Sequence, residues 1–198
     1  MARKTQISKD IILQSALHML IRDGYSSINI KTLAKEIGCS TQPIVWHFEN
    51  MEGLRSALAE YAREYANHKM RPTGDNAVAA FEHVGKAFVE MAVKEPNLFR
   101  FLNLNEKKSK SEESFGAIIT NKDNAEMLKS IGAYLEISEE SAGRYLQNTM
   151  IYANGIATLV ATNVITATEE EMMSMINRAA DAFLRQEGVS EDKIPEKE

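Results

Sequence analysis

Disulfide chemistry is excluded at once. The 198-residue chain has one cysteine, Cys39, with no second thiol to pair with or to complete a zinc site. Proline is scarce, four in all, so no Pro-rich rod or linker is available. No apolar run reaches the ~18 residues a membrane helix needs. The longest candidate, 151–165, is interrupted by Asn154, Gly155, Thr158 and Asn163 and reads as a buried helix. The opening Met1-Ala2-Arg3-Lys4 is basic but no continuous apolar stretch follows, so no secretory leader is expected and the cytoplasm is. Four histidines (18, 47, 68, 83) share no metal-ligand spacing, and neither a Gly-rich phosphate loop nor a nucleophile motif is found. No metal, cofactor or enzymatic activity is therefore expected.

An excess of positive charge is also missing, since the net charge is −5. By itself that argues against a nucleic-acid binder, but the distribution reverses the argument. Residues 1–50 hold six Lys and Arg against four Asp and Glu, a balance of +2, which leaves −7 for the rest. A mildly basic head on an acidic body leaves nucleic-acid contact through the head open, with a plain solvated surface pattern as the other reading.

With 44% hydrophobic and 26% charged residues the chain can build a full core. Helical periodicity runs almost throughout, and no hairpin signal occurs. The expected fold is all-α: a three-helix head and a larger six-helix body. The first helix runs from about Lys9 to Asp23, with Ser8 as N-cap and Gly24 just past its end. The second, Ile30 to Ile37, is capped by Asn29 and stopped by Gly38. A third begins at Ser40 or Thr41, with Pro43 in its first turn where a missing N–H costs nothing, and ends near Glu49. Two short helices joined by Gly38-Cys39-Ser40 describe a helix-turn-helix.

Longer helices are expected from Glu52 to Met70, from Asp75 to Glu95 and from Ser138 to about Val164. Short ones are expected at 97–103 and 124–135. A capping box, Thr168 with Glu171, opens the last helix, which runs through Arg185. Residues 105–114 read as a polar, mobile connection. The expected domains are 1–50 for the head, 51–188 for the body and 189–198 for a flexible tail.

The run Ile12-Leu13-x-Ser15-Ala16-x-x-Met19-Leu20-x-Arg22-x-Gly24-Tyr25 is followed by Ile30-x-x-Leu33-Ala34-x-x-Ile37-Gly38-Cys39-Ser40, then by His47-Phe48 and Leu54. Over about the first 55 residues this resembles the TetR family of repressors. The resemblance implies a homodimer whose heads bind a palindromic double-stranded DNA operator and whose body binds a small apolar or amphipathic effector. Two positions depart from it: the family commonly carries Tyr where this chain has Val45, and Lys where it has Met51. Two phosphate anchors are thereby missing, and weaker, shape-weighted binding with a shallower salt slope is expected.

From Cys39 to Met51 there is no Lys or Arg, so the reading helix must read with neutral groups. On a wheel of ~100° per residue, Ile44 and Phe48 share one face and should pack inward. Gln42, Val45, Trp46 and Glu49 fall on the other. Gln42 can pair with an adenine edge, Thr41 can donate to a base or phosphate, and Val45 can touch a thymine methyl. Ser40, Trp46 and His47 complete the candidate contacts, with Lys31 on the backbone and Arg3 and Lys4 as an arm.

In the body, Phe88, Met91, Met127, Asn148 and Met150 are the candidate effector contacts. They join adaptable apolar surface to one polar fixing point. Ile151, Gly155 and Leu159 on one helix and Met172, Met175, Ile176, Ala179 and Phe183 on the next form the candidate dimer interface. Two helices from each copy would meet across a two-fold axis. A helical protein-protein interaction module whose head has lost strong DNA affinity is the alternative. The substitutions at Val45 and Met51 motivate it.

Overall fold

The computed structural model describes residues 7–104 and 122–194. The expected mobile connection and the basic arm of Arg3 and Lys4 lie outside the described residues. Among those residues are nine α-helices and no strand. In chain order they are α1 (Lys9–Asp23), α2 (Ile30–Ile37), α3 (Gln42–Phe48), α4 (Met51–Lys69), α5 (Ala77–Lys94), α6 (Pro96–Asn103), α7 (Lys122–Leu135), α8 (Glu139–Ala161) and α9 (Glu169–Gln186). The chain divides into two compact units. One comprises residues 1–69 and 94–105, the other 70–93 and 106–198.

Local chemistry sets most helix ends. The Ser8 hydroxyl accepts from Ile11 N at 3.3 Å and opens α1. Asn29 Oδ1 accepts from Lys31 N and Thr32 N at 2.9 and 3.0 Å, and Thr32 Oγ1 accepts from Asn29 N at 2.9 Å. That reciprocal box satisfies donors α2 would otherwise leave bare. Gly38 follows at φ +75°, a left-handed cap open to glycine at no cost. Thr168 and Glu171 exchange the same pair of bonds at the start of α9, at 3.1 and 2.8 Å. The largest departure from the expected ends is at α8, which stops at Ala161, not near Val164. There Thr162 Oγ1 donates to Thr158 O at 2.7 Å, and Asn163 turns left-handed at φ +59°.

The first unit packs α1, α2, α3, α4 and α6 around Ile12, Ala16, Leu20, Leu33, Ile44, Phe48, Leu54, Leu58, Leu98 and Phe99. The helix α6 belongs to this core because Leu98 and Phe99 are completely buried in it. Asn97 adds a polar lock, its Nδ2 donating to Ile21 O at 3.0 Å at the end of α1.

In the second unit α5, α7, α8 and α9 enclose a core of Val78, Leu128, Ile131, Leu135, Tyr145, Leu146, Ala180 and Leu184. Residues 189–194, expected to fray, are packed instead. Val189 is buried in that core, a 3-10 turn spans Glu191–Lys193, and Arg185 Nε donates to Glu191 at 2.7 Å. Residues 195–198 lie outside the described residues.

Candidate nucleic-acid interface and body cavity

The α3 helix divides its side chains as the wheel requires. Ile44 is wholly buried and Phe48 nearly so, while Thr41, Gln42, Val45, Trp46 and Glu49 are exposed. No side chain caps α3, so the Thr41 hydroxyl is not committed to the helix. Trp46, 68% exposed, is among the most exposed large apolar side chains described. Its ring stands edge-on to His47 with centroids 4.6 Å apart. The His47 Nε2 is in turn 3.0 Å from the carbonyl of Ile7, to which it donates. His47 therefore ties the chain entering α1 to the third helix.

The α3–α4 joint is tight. Asn50 N donates to Phe48 O at 2.7 Å across Glu49, whose φ of 64° and ψ of −52° make a positive-φ γ-turn, a strained and uncommon conformation. Asn50 Oδ1 then accepts from Glu52 N and Gly53 N at 2.9 and 3.0 Å and starts α4 at once. Position 53 must be glycine, since a Cβ built there would lie 2.2 Å from Phe48 O.

Charge around this face is sparse. Arg22 lies in the basic count of the head, yet its guanidinium holds Glu36 at 3.1 and 3.3 Å and Asp23 at 2.8 Å. The hydrogen bond from Arg22 lowers the Asp23 carboxyl, and both carboxylates raise Arg22. Lys31 and Lys35 are exposed on α2, and no ion pair to either is found among the described residues. Lys9 sits over the Phe48 ring at 5.8 Å. Ser40 is exposed beside Thr41. Nothing in the sequence marked Arg22 as neutralised, because Glu36 reaches it from another helix.

The second unit holds a cavity of about 230 Å³, walled by α5, α8 and α9 with Met70 at one edge. Phe88 and Met150 line it. Met91 does not: it is 5% exposed and packed as core. Met127 packs against the core cluster near Leu128, and Asn148 is half-buried outside the wall. Sequence reasoning did not single out Glu82, Met173 or Asn177, which also line the cavity. Glu82 was findable as a carboxylate one position after Phe81 on the apolar face of α5. Phe81 and Tyr145 meet edge to face with centroids 6.2 Å apart. Burial, then the negative charges of Glu82 and Asp181, push the Tyr145 hydroxyl well above its ordinary value, so it stays neutral.

The candidate dimer residues separate. Ile151, Gly155 and Leu159 share one exposed face of α8, with Ile151 and Leu159 47% and 40% exposed. On α9, Met172 and Ile176 are 0% and 6% exposed, so they are corrected from interface to core. Met172, Ile176, Ala180 and Leu184 recur every fourth residue and form the stripe that closes onto this unit's own interior. Phe183 is partly buried against the same core, while Met175 and Ala179 stay half-exposed.

A helical head with an outward-facing third helix after a glycine turn is a helix-turn-helix arrangement. Residues 12–58 match the family described as bacterial regulatory proteins, tetR family. Over these residues, the head of the chain is similar to the TetR family of regulators. Similar folds have been solved. A protein of unknown function from Rhodococcus sp. RHA1 has 22% identity and a TM-score of 0.68, covering 94% of this chain and 98% of that one. TetR from Acinetobacter baumannii AYE has 17% identity and a TM-score of 0.60, covering 91% and 96%. A point variant of that TetR, solved in complex with minocycline, has 16% identity and a TM-score of 0.58 over the same shares. No curated protein matches the chain in sequence. No helix among the described residues is long and apolar enough to cross a membrane, and no group of metal-ligating residues is found among them.

Proposed function

We propose that the protein is a ligand-responsive transcriptional repressor: a homodimer that binds a palindromic operator and is released when a small molecule occupies the body cavity. The observation that carries this reading is the division of α3, with Ile44 and Phe48 buried and Thr41, Gln42, Val45 and Trp46 turned outward. A reading helix offers the major groove just such a neutral, hydrogen-bonding and apolar face, mostly near its N-terminus. The cavity supports the second half of the proposal, as does the solved complex of a similar fold with minocycline. The exposed stripe on α8 supports the dimer. Effector binding would favour a head spacing that no longer fits both half-sites, a shift between two states of the dimer.

Base choice and backbone affinity should separate on mutation. Replacing Gln42 by Ala should cost about 1–3 kcal/mol against the preferred sequence and relax choice at one position of each half-site. Replacing Lys31 by Ala should weaken all sequences about equally and lower the salt slope by about 1 for each bound head. Both are measured by fluorescence anisotropy against an operator selected from random duplexes, between low and moderate salt. If selection enriches no sequence and no duplex binds below micromolar at low salt, the repressor reading fails and the interaction module takes its place.

A further inference from the structure

The cavity in the second unit borders a groove that runs along α9, and two side chains serve both. Met173 and Asn177, one turn apart on α9, line the cavity and the groove alike. Ile176 and Ala180 beside them are buried, whereas Met173 and Asn177 are half-buried, as side chains between an interior and solvent must be. On α5 the border is equally thin. Gly85 lines the cavity, nothing lies within 4 Å of a Cβ built there, and the next residue, Lys86, lines the groove.

The two spaces differ in chemistry. Inside, apolar side chains such as Phe81, Phe88, Tyr145, Met150 and Ile176 predominate, with Glu82, Thr149 and Asn154 as a polar minority. Outside, Lys86 and Arg178 stand with Glu169, Glu170 and Asp181, charges of both signs that favour no single ionic head. At the border the Asn177 amide brings both donors and an acceptor. Met173 brings an unbranched thioether with three rotatable bonds, a side chain able to move aside for a ligand.

We propose that cavity and groove form one site for an arylalkyl amphiphile, its ring among Phe81, Phe88 and Tyr145 and its hydroxyl or ether head leaving between Met173 and Asn177. The inference rests on reading the cavity as the effector site. Size divides the ligand: a dry 150 Å³ cavity holds benzene, so about 230 Å³ is filled by a phenyl ring and roughly four carbons. Anything longer has to lie in the groove. Apolar burial holds the ring, which the surrounding aromatic side chains can meet edge to face. The head keeps its hydration in the groove, so no polar group is buried without a partner. The site therefore selects by the width of the ring and tolerates the length of the head.

The test is calorimetric titration of the DNA-free, full-length protein with three probes: 4-phenylbutan-1-ol, the same alcohol etherified with triethylene glycol, and 4-(4-tert-butylphenyl)butan-1-ol. The ether should bind within about fivefold of the alcohol, because its tail stays in water. The tert-butyl compound should bind at least about fivefold more weakly than the alcohol, because four extra carbons overfill the ring's end of the cavity. Met173→Trp should weaken the ether by at least about fivefold, since the indole fills the gap through which the tail passes. The wild-type series needs no variant, so it decides even if Met173→Trp folds poorly. An ether weakened beyond its limit, a tert-butyl compound or a Met173→Trp ether complex weakened by less than stated, or no binding of any probe at millimolar concentration each overturns the proposal. Because no DNA is present, these failures stand apart from failure of the repressor reading, which the operator titration reports.

Discussion

Replacing Gly53 by Ala is expected to destabilise the head by about 3–5 kcal/mol, near the upper end of what a single methyl does. Helix propensity alone predicts the opposite sign. Inside a helix such as α4, Ala should gain about 1 kcal/mol over Gly. The steric term decides, because the added Cβ would stand 2.2 Å from the carbonyl oxygen of Phe48, far inside contact distance. That atom is backbone, so it cannot rotate away as a flexible side chain would. It is also the acceptor for Asn50 N, and the positive-φ turn at Glu49 leaves the joint little slack. Relief requires α3 to move relative to α4, which misplaces Gln42, Val45 and Trp46. Thermal denaturation and operator binding should both report the loss. A melting temperature equal to or above that of the wild type would show that the joint is looser than this geometry.

The second large effect is expected from Leu159→Glu. Leu159 is 40% exposed, so within one subunit the change should cost no more than about 0.5 kcal/mol. In the proposed two-fold dimer the same residue would be buried twice, and two carboxylates would face each other in an apolar seam. The variant should sediment as a monomer at micromolar concentration. Operator affinity should then fall by about 10²–10⁴-fold, because the second half-site is no longer held near the first. Gly155→Ala gives a finer reading of the same surface. Nothing lies within 4 Å of a Cβ at Gly155 in the single chain, so the isolated subunit should gain up to about 1 kcal/mol. A loss instead would report the close approach of a second copy. If Leu159→Glu sediments as the wild type does, the dimer through α8 is wrong.

These two substitutions differ in how visible they were. Gly155 and Leu159 were legible as an apolar face at helical spacing, and α8 exposes them. Gly53 was not, because its partner is a backbone oxygen across a turn of unusual φ, and no residue type announces that turn. The two stripes of α9 show a similar limit. Met172 and Ile176 are as apolar as Met175 and Ala179, so periodicity gave two faces with no rule for which turns inward. The packed helix resolves it, closing the first pair into the core and leaving the second half-exposed.

The sequence by itself determined what depends on atoms a few residues apart. Ser8, Asn29 and Thr168 open their helices, Gly38 turns the chain between α2 and α3, and Ile44 and Phe48 become the buried side of the reading helix. Each follows from hydrogen bonds or a helical period within about one turn. Only the tertiary structure decided what depends on separate helices meeting. It withdrew Arg22 into an ion pair with Glu36, put Phe88 and Met150 on the cavity while leaving Met91, Met127 and Asn148 off it, and set Glu82 into the wall. A helix carries several apolar stripes, and which one faces a neighbour is fixed by the packed interior as a whole.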